Sequence, residues 1–351
     1  MDENIFLHPS DKKALDALKA LPGFDRLTRL FMKQFNEKIF YGRLKSSSVK
    51  IDEKRMQTYQ DMLKDICRKL EIDVPELLII SNKQANAFTS GESRPFIVMT
   101  SALLDKLNDD VIYVVLAHEC GHIACHHVLY RTLAGILLST GLSVFAPGIS
   151  FLVSIPIKNA LLSWMRCSEL SADRAAMLCD GTDKHLIDMC MRFNGFSRIF
   201  ITPFDREAFL DKARKKRESE EKSEKKVSVS DLIFSYETHP DHLTRALTAR
   251  EYFRSKDYAR ARDYLESLWR HEVPKGMVLM KEDPASYIGK DPKDVSMSLY
   301  EQGFINTETE AVTSRKELAS KVVSLKREGH KDLRQGDLIS LFEKITIAYG
   351  K

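Results

Sequence analysis

The feature that most restricts the fold of this chain is a run of 26 residues, from Thr132 to Ile157, without a charged side chain. A membrane-crossing helix needs about 20 apolar residues to span a hydrocarbon core of about 30 Å. Pro147-Gly148 divides the run into helices of about 22 Å and about 14 Å, which are both too short. Lys158 interrupts any extension of the second helix. The sequence therefore favours an apolar helical hairpin.

The overall composition is that of an ordinary globular protein, with 43% hydrophobic and 30% charged residues. The 54 Lys and Arg residues against 50 Asp and Glu leave a formal charge of +4, which is too small to predict a nucleic-acid partner. The N-terminal residues show no apolar segment of signal-peptide length. The six cysteines include no C-x-x-C pair. We expect a cytoplasmic protein with free thiols, with membrane association as an alternative.

Hydrophobic spacing predicts an α+β fold that is predominantly helical. Residues 11–45 and 53–70 carry apolar side chains at three- and four-residue steps. Short β-rich runs at 76–81, 86–89 and 95–100 then predict a small antiparallel sheet. Beyond residue 270 the spacing predicts further helices. Their apolar faces would be formed by Leu318, Val322, Val323 and Leu325, and by Leu338, Ile339, Leu341, Phe342 and Ile345.

An H-E-x-x-H motif at residues 118–122 lies in a predicted helix that begins after Asn108 and runs to Val128. His118 and His122 are one turn apart on the same face, so both imidazoles can reach one metal ion. Glu119 lies beside that site, where it can take a proton from a water that the metal activates. The candidates for a third ligand are Cys125, His126, His127 and Glu169. A closed structural metal site that uses Cys125 or His126 is the alternative.

A second motif, SELSADRAA, spans residues 168–176. In a helix Glu169 and Asp173 share one face, so one carboxylate can bind a metal while the other orients a histidine ligand. An isolated E-x-x-x-D pattern is more simply a solvated helix face. The second motif therefore predicts a metal site only in combination with the H-E-x-x-H motif.

Three separated segments, LAHECGHI (116–123), SELSADRAA and THP (238–240) followed by Arg245, resemble the gluzincin metallopeptidases of the HtpX and CAAX-prenyl-protease type. NAFTSG (86–91) and PFIVMTSALLDKL (95–107) also look like that family's sheet and the lead-in to its metal helix. The resemblance covers about residues 80–250. It implies one Zn²⁺ per chain, with Glu169 as the third ligand after His118 and His122, and with Asp173 supporting the ligands from outside.

The same resemblance implies two kinds of contact with substrate. It places His239 and Arg245 near the bound peptide, where His239 would stabilise the oxyanion and Arg245 would pair with Asp173 or with substrate. It also makes the segment that contains Asn86, Ala87 and Phe88 an edge strand that packs on the metal-binding helices. Such a strand binds an extended peptide through main-chain hydrogen bonds.

These observations predict a zinc metalloendopeptidase of protein or peptide substrates, with protein quality control as one setting and Glu119 as general base. A zinc-containing chaperone or assembly factor, and a protease that is latent until triggered, are the alternatives.

The predicted organisation has three parts, namely a helical N-terminal layer (1–75), the metallopeptidase domain (76–250) and a helical C-terminal region (251–351). The domain would contain the apolar hairpin (132–157) and an exposed charged linker (212–226). A single membrane crossing by the hairpin would separate His118 from Glu169, so the hairpin would be buried, cover the cleft, or make peripheral or re-entrant membrane contact. The C-terminal region would cap the domain, dock clients or form oligomers.

Overall fold

The computed structural model divides into two compact units, the first ending at Ser255 and the second beginning at Lys256. The three-part division expected from the sequence stays a prediction. The structure describes residues 5–52, 54–140, 151–196, 201–222, 241–270, 277–313, 318–327, 331–333, 335, 338–340 and 343–351.

The first unit is mostly helical, as predicted. Its helices are α1 (Pro9–Lys19), α2 (Phe24–Gln34), α3 (Glu37–Ser46), α4 (Gln57–Leu70), α5 (Ser101–Lys106), α6 (Asp109–Ala124), α7 (Val128–Thr140), α8 (Phe151–Asp180), α9 (Lys184–Phe193), α10 (Pro203–Lys222) and α11 (His242–Phe253). Pro22-Gly23 separates α1 from α2, and Gly23 takes a left-handed conformation (φ +86°) that favours glycine.

The sheet of the first unit contains β1 (Ser48–Ile51), β2 (Glu76–Ile80), β3 (Ala87–Ser90) and β4 (Phe96–Thr100) in the order β1-β2-β4-β3. β3 lies at the edge, as predicted. The expected antiparallel sheet is instead mixed, because β2 and β4 run parallel. The chain leaves β2, crosses to the far side of β4 to form β3, and returns antiparallel into β4, which gives β2 and β4 the same direction.

Helices α6 and α8 pack closely at Gly121. A Cβ atom at this position would lie 2.9 Å from Cβ of Ala175 and 3.0 Å from Cα of Ala172. Only glycine therefore permits this approach without a shift of the two helices. The contact brings the two sequence motifs together, since α6 carries residues 118–122 and α8 carries residues 168–176.

The described arms of the apolar hairpin belong to α7 and to the start of α8. Leu133, Ala134, Leu137 and Ile157 are buried in a cluster whose other buried members come from α1, α2 and the middle of α8, among them Leu18, Leu27, Phe31 and Trp164. Ile155 is exposed, and residues 141–150 lie outside the described part. Within the described residues, none of the helices combines the length and apolar character that a membrane crossing requires.

The described part of the predicted charged linker, residues 212–222, belongs to helix α10. In this segment the side chain of Ala213 is buried, whereas most of the charged side chains are exposed. Residues 212–222 are therefore exposed, as predicted, but helical, and residues 223–226 lie outside the described part.

The second unit contradicts the prediction of a helical C-terminal region. It contains α12 (Lys256–Arg270) and α13 (Pro292–Glu301) with β5 (Met277–Leu279), β6 (Thr307–Val312), β7 (Val322–Arg327), β8 (Lys331–Asp332), β9 (Leu338–Ser340) and β10 (Ile345–Gly350). These strands form a sheet ordered β6-β10-β7-β8 and a pair β5-β9. Of the predicted apolar faces, Val322, Val323 and Leu325 lie on β7, Leu338 and Ile339 on β9 and Ile345 on β10. Leu341 and Phe342 lie outside the described residues.

The helical spacing in β7 has a specific cause. Ala348 pairs with Ser324 but Tyr349 pairs with Val322, so the register shifts by one residue at this point. Such a bulge breaks the two-residue alternation of a strand. Val322 and Leu325, three residues apart, are consequently both buried in the core of the second unit, as they would be on a helix.

Candidate metal centre

Helix α6 begins after Asn108, as predicted, but ends at Ala124, before the expected Val128. The chain turns at His126, which has a left-handed backbone (φ 55°). This turn directs His126 to solvent, and Cys125 and His126 do not join the metal-binding cluster found among the described residues. The closed structural site that would use them is therefore not the arrangement seen.

The cluster consists of His118, His122 and Glu169, which are all buried. Nε2 of His118 lies 3.3 Å from Oε2 of Glu169, and Nε2 of His122 lies 3.3 Å from Oε1. Two atoms that each lie about 2.05 Å from a tetrahedral zinc ion are about 3.3 Å apart. Two imidazoles and one carboxylate are also the donor set of catalytic zinc sites, so these residues fit a metal ion.

Asp173 and Arg245 support His118 from behind. Nδ1 of His118 lies 2.9 Å from Oδ1 of Asp173. Arg245 donates to both oxygens of that carboxylate, from Nε at 2.9 Å and from Nη2 at 2.5 Å. Arg245 was expected to pair with Asp173 or with substrate, and in the structure it pairs with Asp173. All three side chains are buried, so the pair fixes the orientation of the ring.

The electrostatics of the cluster favour a bound cation. Burial alone favours the neutral ring of His118, but the charges of Glu169 and Asp173 raise its pKa to about 9. Burial and then the charge of Arg131 hold the pKa of His122 well below its ordinary value. The two carboxylates thus stabilise a positive charge beside His118, which a metal ion could supply in place of a proton, and His122 is kept neutral, as a metal ligand must be.

Two further contacts of the cluster were missed in the sequence. Nη1 of Arg131 donates to Oε1 of Glu169 at 2.6 Å. Nδ1 of His127, a residue considered only as a ligand, lies 3.0 Å from Nδ1 of His122. Both residues follow the end of α6, so the spacing of a continuous helix could not have placed either of them.

Glu119 extends from α6 towards the edge strand, where Oγ1 of Thr89 donates to its Oε2 at 2.7 Å. The main chain of β3 pairs with β4 at Ala87 and Phe88. Asn86 immediately precedes β3, and its carbonyl accepts from the amide of Thr100 at 3.0 Å. Among the described strands, none pairs with the other edge of β3. That edge offers backbone groups close to Glu119.

A cavity of about 1200 Å³ adjoins the C-terminal end of β3. Its lining includes Glu92, Ser93 and His126, but none of the three residues of the cluster. His239, which was expected near the substrate, lies outside the described residues.

The sequence model of peptidase family M48 matches residues 53–252 of this chain. The chain is 29% identical over 267 residues to the chloroplastic plastoglobule-localized metallopeptidase 48 of Arabidopsis thaliana, which covers 74% of this chain and 75% of that protein. It is 28% identical over 137 residues to a protease HtpX homolog of Methanopyrus kandleri (34% and 43%). It is 25% identical over 170 residues to protease HtpX of a Psychrobacter species (40% and 56%). No solved structure gives a significant match.

The matched residues make up more than half of the chain and include the motifs at 118–122 and 168–176. They confirm the resemblance to HtpX-type peptidases. The chain belongs to peptidase family M48 and is a metalloprotease.

Proposed function

We propose that this metalloprotease is a zinc-dependent endopeptidase in which His118, His122 and Glu169 bind one Zn²⁺ per chain. The observation that carries the proposal is the pair of 3.3 Å distances between the two Nε2 atoms and the two oxygens of Glu169. Three protein ligands leave one position of a tetrahedral ion open, as catalysis requires. A zinc ion held there would polarise the scissile carbonyl and a water molecule.

Glu119 is proposed as the general base that accepts a proton from the attacking water and then delivers it to the leaving amine. Thr89 donates to Oε2 of Glu119 and so restrains the carboxylate beside the cluster. The proposal also keeps His239 as the donor that stabilises the oxyanion, a role that rests on the family resemblance alone.

The proposed substrate is a protein or peptide segment in extended form. The free edge of β3, next to Glu119, would bind the segment through main-chain hydrogen bonds of Ala87, whereas Asn86 and Phe88 flank this contact with main-chain groups that face β4. Phe88 packs its side chain against the sheet cluster of Leu78, Phe96 and Val98. Phe88 would therefore contribute by holding β3 in position on the sheet.

A cytoplasmic role in protein quality control is the proposed setting, with membrane contact through residues 132–157 as its alternative. The relatives carry the names of a plastoglobule-localized metallopeptidase and of HtpX proteases. Flotation of the purified protein with phospholipid vesicles tests the membrane contact, and protein that stays entirely at the bottom of the gradient would exclude it.

The proposed mechanism is tested by Glu119→Gln, which removes the base and keeps the size of the side chain. We expect the variant to retain one zinc per chain by metal analysis and to lose cleavage of an unfolded protein. Glu251→Gln, at an exposed position of α11, is the matched control and should behave as wild type. Cleavage by Glu119→Gln at the wild-type rate would overturn the mechanism.

A further inference from the structure

We propose that Asp11, acting through His127, is a positioning residue that fixes the tautomer and orientation of His122 for metal binding. This inference rests on the metal site of the proposed function. Asp11 belongs to α1, which precedes the family-matched residues 53–252. The N-terminal helix would therefore contribute a functional carboxylate to the peptidase site.

A continuous line of polar contacts connects the two residues. Nδ1 of His122 lies 3.0 Å from Nδ1 of His127, and Nε2 of His127 lies 2.9 Å from Oδ2 of Asp11. The three side chains are 0%, 1% and 1% exposed. At this depth the polar atoms satisfy one another instead of exchanging with bulk water.

The contact between two ring nitrogens leaves only one arrangement of protons that suits a metal ligand. One of the two Nδ1 atoms must donate and the other accept. His122 needs the lone pair of its Nε2 for the metal, so its proton resides on Nδ1 and is donated to His127. The proton of His127 then resides on Nε2 and is donated to Asp11.

The environment of Asp11 makes it an acceptor on both oxygens. The indole Nε1 of Trp164 donates to Oδ1 at 2.9 Å, and Oγ of Ser171 donates to Oδ2 at 2.5 Å. Burial favours the neutral acid, but the hydrogen bonds from His127, Ser171 and Trp164 hold the pKa of Asp11 below its ordinary value. An ionised Asp11 accepts from all three groups and so determines which nitrogen of His127 is protonated.

The other histidine of the cluster has a more direct version of the same support, since Nδ1 of His118 meets Asp173. Each proposed histidine ligand is thus connected to a buried carboxylate, His118 by one contact and His122 by two. Such outer contacts raise the basicity of the ligand and hold its ring in place.

Asp11→Asn tests the inference with almost no change in shape. Trp164 can only donate, so it keeps the carbonyl oxygen of the new amide at the Oδ1 position and places the amide nitrogen towards His127. Nε2 of His127 must then accept, and its Nδ1 proton points at His122. The proton of His122 would move to Nε2, where it blocks the metal.

We expect the affinity of Asp11→Asn for zinc, measured by competition with a chromophoric chelator, to fall about 10- to 100-fold. The visible spectrum of the cobalt-substituted protein should also change, because it reports the geometry of the ligands. Asp188→Asn is the matched control, since Asp188 is a buried carboxylate that accepts from Arg206 at 2.5 and 2.9 Å. It should lower stability but leave zinc affinity within twofold of wild type.

His127→Phe provides an independent variant and a double-mutant cycle. It removes the acceptor for His122 and should weaken zinc binding about tenfold or more. In its background, Asp11→Asn should cause little further loss, because Asp11 acts through His127. Additive losses of zinc affinity would show that Asp11 has only a structural role and would overturn the inference.

Circular dichroism and thermal melting identify variants that keep the native fold. Folded Asp11→Asn or His127→Phe protein with zinc affinity within twofold of wild type would overturn the inference. If Asp11→Asn does not fold, the zinc affinity of folded His127→Phe alone tests the inference, with the same twofold limit. Wild-type protein that binds no zinc would instead refute the proposed function, so the two failures are distinguishable.

Discussion

Oγ1 of Thr89 donates a hydrogen bond of 2.7 Å to Oε2 of Glu119. The contact joins the edge strand proposed to hold the substrate to the proposed catalytic base. A hydrogen bond to a charged group contributes about 1.5–3 kcal/mol, which corresponds to at least about tenfold in rate when it is needed in the transition state.

Replacement of Thr89 by valine should therefore lower kcat about tenfold or more on an unfolded protein substrate. Thr89→Ser keeps the hydroxyl and should retain most of the activity. Equal activity of Thr89→Val and wild type would show that the hydrogen bond does not orient Glu119. A serine variant as slow as the valine variant would attribute the loss to packing.

Arg245→Lys should lose both stability and zinc affinity, because lysine cannot reproduce the two-pronged contact with Asp173. We expect a loss of about 2 kcal/mol or more in the free energy of unfolding. We also expect weaker zinc binding through a misoriented His118. Arg206→Lys is the control, since Arg206 makes a similar contact with Asp188. It should lose comparable stability and keep zinc affinity, and an equal zinc loss in both variants would refute the specific role.

Gly121→Ala should destabilise the protein although alanine is the better helix former. Its Cβ would lie 2.9 Å from Ala175, and overpacking of this kind costs about 1–3 kcal/mol. The displacement of α8 should also weaken zinc binding by moving Glu169. Gly135→Ala in α7 has no atom within 4 Å of the added carbon and should be neutral or stabilising. Similar denaturant midpoints for the two variants would contradict this explanation.

His8 should make stability depend on pH. Its Nδ1 accepts from the amide of Ser10 and so caps α1. Burial and the charge of Arg174 lower the pKa of His8 from 6.5 to about 4. Between these values the unfolded chain binds the additional proton, so stability from this group is present above pH 6.5 and is lost as pH falls towards 4.

We therefore expect His8→Asn, which keeps a capping acceptor, to show a smaller loss of urea midpoint between pH 7.5 and pH 5 than wild type. An unchanged pH dependence in the variant would exclude His8 as its source.

The local part of the site could be predicted from the sequence. His118, Glu119 and His122 share one helix, and the helical repeat alone determines their relative positions. Asp173, four residues after Glu169, follows the same rule on α8. The assignment of Glu169 as third ligand needed the family resemblance, and the structure brings its carboxylate to the two histidines.

The contacts that were missed depend on tertiary structure. Asp11 meets Ser171, 160 residues away, and Arg131 reaches Glu169 only because the chain turns after Ala124. No pattern of neighbouring residues encodes such a pairing. Strand β7 was assigned to a helix for a related reason, because the bulge opposite Ala348 and Tyr349 gives it the apolar spacing of a helix.

The crossing of α6 and α8 at Gly121 has a consequence for the order of folding. His118 and Asp173 are 55 residues apart in the chain, and neither helix alone contains the three residues of the cluster. A newly made or partly unfolded chain therefore holds the base and two imidazoles before it holds a complete site. Zinc, as the proposed ion, would stabilise only chains in which the two helices have already docked. Peptidase chemistry at this site would in this way be delayed until the protease itself has folded.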